Sequence, residues 1–459
     1  MPLRTLRFHP TAIASASLAA VAAAAVFYVL RRRRIARVVE LRSAFLCEVA
    51  RTRLPAPFDS WEDICEQLPC LNKQRTIRSV IDSTLKVHRV VHSDLTLAQV
   101  RRARVMLGCM IASYVNGEQV PWEHLEQDVG LTEGVYPWYR LRNGHDEHTS
   151  AAQSPATAID VEAQDPIQLP PSLGVPWRDV SEMLGLPPIL TATDLDLWNR
   201  GGTDVSRSPR DALRGFRQMV SITGTRSERG FHAVPFTLQL VLAPLLPSLL
   251  TVPDLVARGD SMALQRVCAQ VDSTVSDALE MLRSIYSLVD VSEFYDVYRP
   301  LLGGWAPRGL QLPPRPGEGP AGQVAKSAGP SAGQTAIFIV IDLALGVDHG
   351  PKLKAFQHEM REYLPREHRA LIEALDAQIV QCGSARTAAT AEGAHEGLVA
   401  AHASALRTLA RMRAYHLGIA THYLKRSLKG TGGSDFRAML DEGLRSTRAS
   451  AVNATRGAN

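Results

Sequence analysis

Apolar residues recur three and four apart along most of the chain, the 3.6-residue period of helices with one buried face. TLAQVRRARVMLGCMIASY at 96–114 shows it, as do 262–289 and 397–429. Strand signals are scarce: FIVIDLALG at 338–346 is the only β-branched run, and its length suits a buried helix equally well. The pattern predicts an all-α protein, with a small helical domain over 41–195 and a larger helical domain over 196–448. A polar stretch without period, GHDEHTSAAQSPATAIDVEAQDP at 144–166, is expected to be a surface insertion. The Pro- and Gly-rich segment 306–333 is expected to be a long loop, and 449–459 a disordered tail. No convincing internal repeat is present.

The N-terminus departs from this pattern. Residues 11–30 are uncharged and alanine-rich, about the twenty needed to cross a bilayer. Seven arginines (4, 7, 31–34 and 37) precede the first acid, Glu40. The run is too long for a signal-peptide core, so residues 1–40 are expected to be a membrane anchor that keeps the rest of the chain in the cytosol. An acid-free leader rich in Arg, Ser and Ala also fits a mitochondrial presequence, and that alternative stays open. These arginines account for the formal charge of +5, so the remainder is close to neutral and calls for no nucleic-acid partner. The six cysteines show neither paired nor metal-finger spacing, which favours a reducing compartment. A monomer is expected.

Several motifs carry little chemistry. His145 and His148 lie in the polar insertion without a second ligand cluster. HEMREYLPREH at 358–368 lacks the paired-His spacing of a zinc hydrolase and reads as a solvated helix with its cap. KGTGGSD at 429–435 follows a helix instead of linking a strand to one, so it is a poor phosphate loop. No Ser-His-Asp or Cys-His arrangement can be assembled, and no catalytic base is assigned.

The helical segment 405–428 is more informative. Leu409, Met412, His416, Ile419 and Tyr423 form one stripe, with Arg413 one turn before the histidine. A histidine in an apolar stripe is usually a satisfied core residue. An imidazole projecting from a rigid helix into an apolar cavity is also the form of a proximal haem ligand, and pattern alone leaves both readings open.

Five blocks in order resemble the indoleamine 2,3-dioxygenase family: LGCMIASYVNG (107–117), LPPSLGVPWRDVSEMLGLPPIL (169–190), YRPLLGGW (298–305), SAGQTAIFIVIDLALG (331–346) and MRAYHLGIATHYL (412–424), the last followed by KGTGGSD. The resemblance implies that the larger domain binds haem b, one iron, with His416 as the metal ligand. It implies an ion pair of Arg413 with Asp342 beside that ligand, and a loop of Ser331, Ala332 and Gly333 over the haem. Arg299 would bind the substrate carboxylate, Phe231 and Phe294 would flank the indole, and Thr431 would close over bound substrate. The implied reaction inserts O₂ across the C2–C3 bond of L-tryptophan, or a related indole, to give N-formylkynurenine. An external electron donor would keep the iron reduced.

The substrate side departs from the family's animal members. Pro235 stands where a serine is expected and Ala192 where a tyrosine is, while Leu195 and Asp196 replace a small and an aliphatic residue. His232 is the nearest polar side chain, about 100° round the helix from the Phe231–Pro235 face. A buried acid is costly, so Asp196 must meet a polar substrate group or turn away. A different indole substrate, or a haem protein that senses without turnover, remain alternatives.

Overall fold

The computed structural model describes residues 45–46, 48–122, 165–201, 208–305, 308–314, 318, 323–325, 327–424, 430 and 435–456. The run 11–30, most of the polar insertion with His145 and His148, and Thr431 lie outside them. The longer helices are α1 (Asp59–Lys73), α2 (Leu97–Asn116), α3 (Pro171–Leu184), α4 (Arg226–Leu242) and α5 (Ser261–Leu282). They continue with α6 (Ala336–Leu345), α7 (Pro351–Arg361), α8 (Arg366–Cys382), α9 (Glu396–Tyr423) and α10 (Phe436–Arg456). The molecule is mostly helical, as the periodicity implies.

Local chemistry sets the helix ends. Thr96 opens α2 with a reciprocal cap: its hydroxyl accepts from Gln99 N at 3.3 Å, and the Gln99 side chain accepts from Thr96 N at 2.9 Å. The apolar run at 338–346 belongs to helix α6, buried along most of its length. Gly346 ends it at φ 72°, and a Cβ there would lie 2.2 Å from Ser384 Oγ.

Long helix α9 packs along both α5 and α10, α4 crosses α5, and α6 lies against α8. One continuous apolar core joins these helices to the N-terminal ones, from Phe45 to Ala451. Two six-residue π-turns occur as well: Thr193–Trp198, which stands apart from the α-helices, and Glu293–Tyr298, which runs on into the short helix Arg299–Leu301. The boundary drawn at 195/196 cuts through the first, which is mostly buried.

Three expectations need correction. The segment 306–333 is not all loop: β2 (Leu310–Leu312) pairs antiparallel with β3 (Gln323–Ala325) and parallel with β1 (Ile167–Gln168). Helix α10 runs to Arg456, so residues 449–456 are helical, held by the apolar face that buries Ala451 against the core. The segment 358–368 is not merely a solvated helix, because His368 is 1% exposed and packs on Phe45 with ring centroids 4.6 Å apart. Among the described residues no single helix is long and apolar enough to cross a membrane. The five described cysteines are free thiols, three of them buried.

Candidate functional site

Helix α9 presents one stripe to a cavity of about 380 Å³, and His416 lies on it with Leu409, Met412, Arg413, Ile419 and Tyr423. Burial, followed by the charge of Arg413, holds the His416 imidazole below its ordinary pKa, which keeps it neutral. Neither ring nitrogen takes a hydrogen bond from a described residue. A neutral imidazole with a lone pair to give is the state a metal ligand requires. Among the described residues no three His, Cys, Asp or Glu side chains cluster to hold a bare ion. Among the described residues the site therefore offers one neutral imidazole in an apolar chamber, a setting that would suit a metal that brings its other ligands with it.

Arg413 turns away from its neighbour to Asp342 on α6. Its Nη2 donates to both carboxylate oxygens, at 2.5 and 2.7 Å, and its Nη1 reaches the Thr447 hydroxyl and the Gly443 carbonyl on α10. Asp342 also bonds His349 Nε2 at 2.9 Å and accepts from Gln357 Nε2 at 3.2 Å. Burial alone would raise this carboxyl, but the Arg413 charge and the His349 hydrogen bond outweigh it and hold it below the usual range. The group braces α9, α6 and α10 around His416. The sequence pattern contained no sign of His349 or Gln357, which enter by spatial approach alone.

Across the cavity stand Phe231 on α4 and Phe294 in the second π-turn, their ring centroids 4.6 Å apart at 31°. Ser331, Ala332 and Gly333 line it as well. Ser331 Oγ accepts from Gly333 N at 3.2 Å and starts a short 3₁₀ turn, and Gln334 in that turn accepts from Ala192 N at 2.9 Å. A Cβ on residue 333 would lie 2.7 Å from the Phe356 ring, so packing favours glycine there.

The polar residues of this wall form a chain. Tyr298 donates its hydroxyl proton to His232 Nε2, and His232 Nδ1–H donates to Asp196 Oδ1 at 2.7 Å. This tautomer follows from the partners, since a carboxylate can only accept. His232 does line the cavity, although it lies off the Phe231–Pro235 face. The cavity wraps a wider arc of α4 that also takes in Val234, Leu238 and Gln239. Asp196 meets a protein group and still lines the cavity, its side chain 17% exposed. Burial pushes its carboxyl up against the lowering pull of His232, and burial likewise raises the Tyr298 phenol.

The first π-turn is fixed from behind by Arg104, a residue the sequence reading passed over. Its guanidinium donates to Asp194 Oδ1 at 2.9 Å, to Ser181 Oγ at 2.7 Å and to the carbonyls of Pro187 and Ile189 at 3.0 and 2.7 Å. The available signal was the three arginines, Arg101, Arg102 and Arg104, on a helix whose other residues are mostly apolar.

Arg299 is not brought into the cavity. It follows the second π-turn and stands over the Tyr295 ring, 5.1 Å from its centroid, and burial lowers its pKa. Thr431 lies outside the described residues, although its neighbour Gly430 lines the cavity.

The family model described as indoleamine 2,3-dioxygenase matches residues 37–429. Indoleamine 2,3-dioxygenase 2 of Mus musculus is 30% identical over 270 residues, 57% of this chain and 63% of its own length. A 6-hydroxytryptophan 2,3-dioxygenase of Fusarium equiseti is 30% identical over 297 residues, 62% of this chain and 70% of its own length. A myoglobin of Haliotis diversicolor is 26% identical over 291 residues, 60% of this chain and 72% of its own length. The chain thus spans less than two thirds of the mouse relative. With the family model covering residues 37–429, this chain belongs to the indoleamine 2,3-dioxygenase family.

Proposed function

We propose that this protein is a haem-dependent dioxygenase that opens the indole ring of L-tryptophan or a related indole. The observation that carries the reading is His416, a neutral imidazole without a hydrogen-bond partner among the described residues, facing the apolar cavity. His416 would hold the iron of haem b in that chamber, and Arg413 and Asp342 would fix the helix that carries it. When bound, the haem supplies the chemistry that adds both atoms of O₂ across the indole C2–C3 bond, giving N-formylkynurenine from tryptophan.

The chain's own residues bind, orient and exclude water. Phe231 and Phe294 form an apolar wall for a flat ring, and the Ser331–Gly333 loop closes one side of the cavity. Arg299 remains the proposed carboxylate-binding group, which requires its guanidinium to swing off Tyr295 when substrate enters. Pro235 has no N–H to donate, so it supplies neither acid nor base. An external reductant is required, and the run 11–30 is proposed as an anchor to a membrane with the catalytic part in the cytosol.

Protein supplied with haem, ascorbate, methylene blue and L-tryptophan should form N-formylkynurenine, and His416→Ala should lose haem loading. Full haem loading by His416→Ala refutes the ligand assignment. A second reading, a haem-binding protein without turnover, draws on the relative named myoglobin. A ferrous–CO spectrum without product from any indole would favour it.

A further inference from the structure

Asp196 has one carboxylate oxygen engaged and one open. Oδ1 accepts from His232, whereas Oδ2 takes no hydrogen bond from any described residue. Its side chain retains 17% exposure and lines an otherwise mostly apolar cavity. His232 is 1% exposed and has both ring nitrogens occupied, one by Asp196 and the other by Tyr298. It therefore has nothing left to offer a ligand, and acts by fixing the carboxylate. Tyr298 closes the chain from the second π-turn, and its ring lies against Phe231, whose centroid is 6.1 Å away. Asp196 thus lines the same cavity as the aromatic pair proposed to hold the indole, and its partner His232 has its ring centroid 5.3 Å from that of Phe231.

We infer that Asp196, positioned by His232 and Tyr298, is a specificity residue that accepts a hydrogen bond from a donor on the aromatic ring of the substrate. Such a donor is either the indole N–H or a ring hydroxyl. The inference rests on the proposed function for the identity of the ring, and on the geometry above for the acceptor. The physical reason is asymmetric cost. A carboxylate oxygen facing an apolar chamber is solvated by water until a ligand displaces it, and a ligand without a donor leaves the oxygen unsatisfied. Sites built around such a group reject the analogue that lacks the partner far more strongly than apolar pockets discriminate by size. Charge on the acceptor strengthens the bond further.

The test is equilibrium binding by calorimetry to haem-loaded protein, independent of turnover, using L-tryptophan, 1-methyl-L-tryptophan, 5-hydroxy-L-tryptophan and 6-hydroxy-L-tryptophan. If the ring N–H is the donor, methylation should weaken binding about tenfold or more and hydroxylation should add little. If a hydroxyl is the donor, one hydroxytryptophan should bind about tenfold or more tighter than tryptophan. Two variants separate the acceptor from simple fit. In Asp196→Asn the amide oxygen takes over the His232 bond, so its NH₂, a donor, faces the cavity and the wild-type preference should vanish or invert. In Asp196→Val the acceptor is gone, and the preference should collapse toward unity. Melting curves and haem loading establish that each variant is folded, and because the readout is a ratio of ligands, a general loss of affinity does not imitate the result. Equal binding of all four ligands by the wild type, or an unchanged preference in both variants, overturns the inference. If the ring preference is found but no indole is turned over, the dioxygenase reading falls and this one stands. If turnover is found without the preference, only this one falls.

Discussion

Removing Arg104 tests whether the cavity wall depends on a buried ion pair. Arg104 and Asp194 are both 0% exposed, and the guanidinium lies 4.5 Å from the centroid of the Trp177 ring. Arg104→Met keeps the aliphatic stem against that ring but removes the donors to Asp194, Ser181, Pro187 and Ile189. Asp194 then keeps only the Thr191 N–H and hydroxyl, at 2.8 and 2.9 Å, and the buried Ile189 carbonyl loses its Arg104 donor, while that of Pro187 keeps the Ile189 N–H at 2.8 Å. Breaking a buried pair from one side costs about 3–5 kcal/mol, and the two helping Thr191 bonds place this case near 4 kcal/mol. That is a large part of the roughly 5–15 kcal/mol by which folded proteins are stable. Urea unfolding followed by far-UV circular dichroism should show the loss as a lower midpoint with an unchanged slope. Adding Asp194→Leu should recover part of it, because the uncompensated carboxylate causes most of the damage. A loss below about 1 kcal/mol for Arg104→Met, or a double variant no more stable than the single, would refute the reasoning. Ala192 and Asp196 share this segment, so the surviving folded protein should also discriminate its ligands less sharply.

Other consequences follow from close contacts and burial. A Cβ on residue 230 would lie 2.5 Å from the Leu288 carbonyl oxygen, so Gly230→Ala should push α4 away from that backbone. The expected cost is about 1–3 kcal/mol, read as a lower melting temperature, and an unaltered melt would show that the contact is relieved elsewhere. His368 is buried, and desolvation followed by the Arg101 charge holds its pKa down to about 3. The unfolded chain binds a proton near pH 6.5 that the folded one refuses, so this contribution is complete above that pH and is lost as pH falls toward 3. His368→Phe should flatten the acid limb of the stability curve by up to roughly 1.4 kcal/mol per pH unit, and an unchanged slope would count against the assignment.

The helices were legible because their burial is periodic. The stripe through Leu409, His416 and Tyr423 is a local property of twenty-odd residues, and α9 reproduces it. The Arg413–Asp342 pair was reachable only through the family resemblance, since 71 residues separate the partners. The chain from Tyr298 through His232 to Asp196 was not legible, although its members His232 and Asp196 had each drawn notice. Its contacts span 66 and 36 residues and depend on two π-turns, whose extra residue shifts the phase of any helical projection. The small sheet escaped for a related reason: β1 and β2 are two and three residues long, and their pairing supplies what local alternation does not. Arg299 is a different case. Its position in the motif implies a carboxylate contact, while its side chain here stands over the Tyr295 ring, a placement no local pattern announces.

The two π-turns carry a consequence for how such a cavity changes over evolutionary time. Each holds one residue more than an ordinary helical turn needs, so the loss of a single codon would let it close as α-helix. Everything downstream within that helix would then rotate by about 100°. Asp196 or Phe294 would then turn out of the cavity, while His416, on a helix far along the chain, kept its place. Substrate preference in this lineage can therefore jump by deletion as readily as it drifts by substitution.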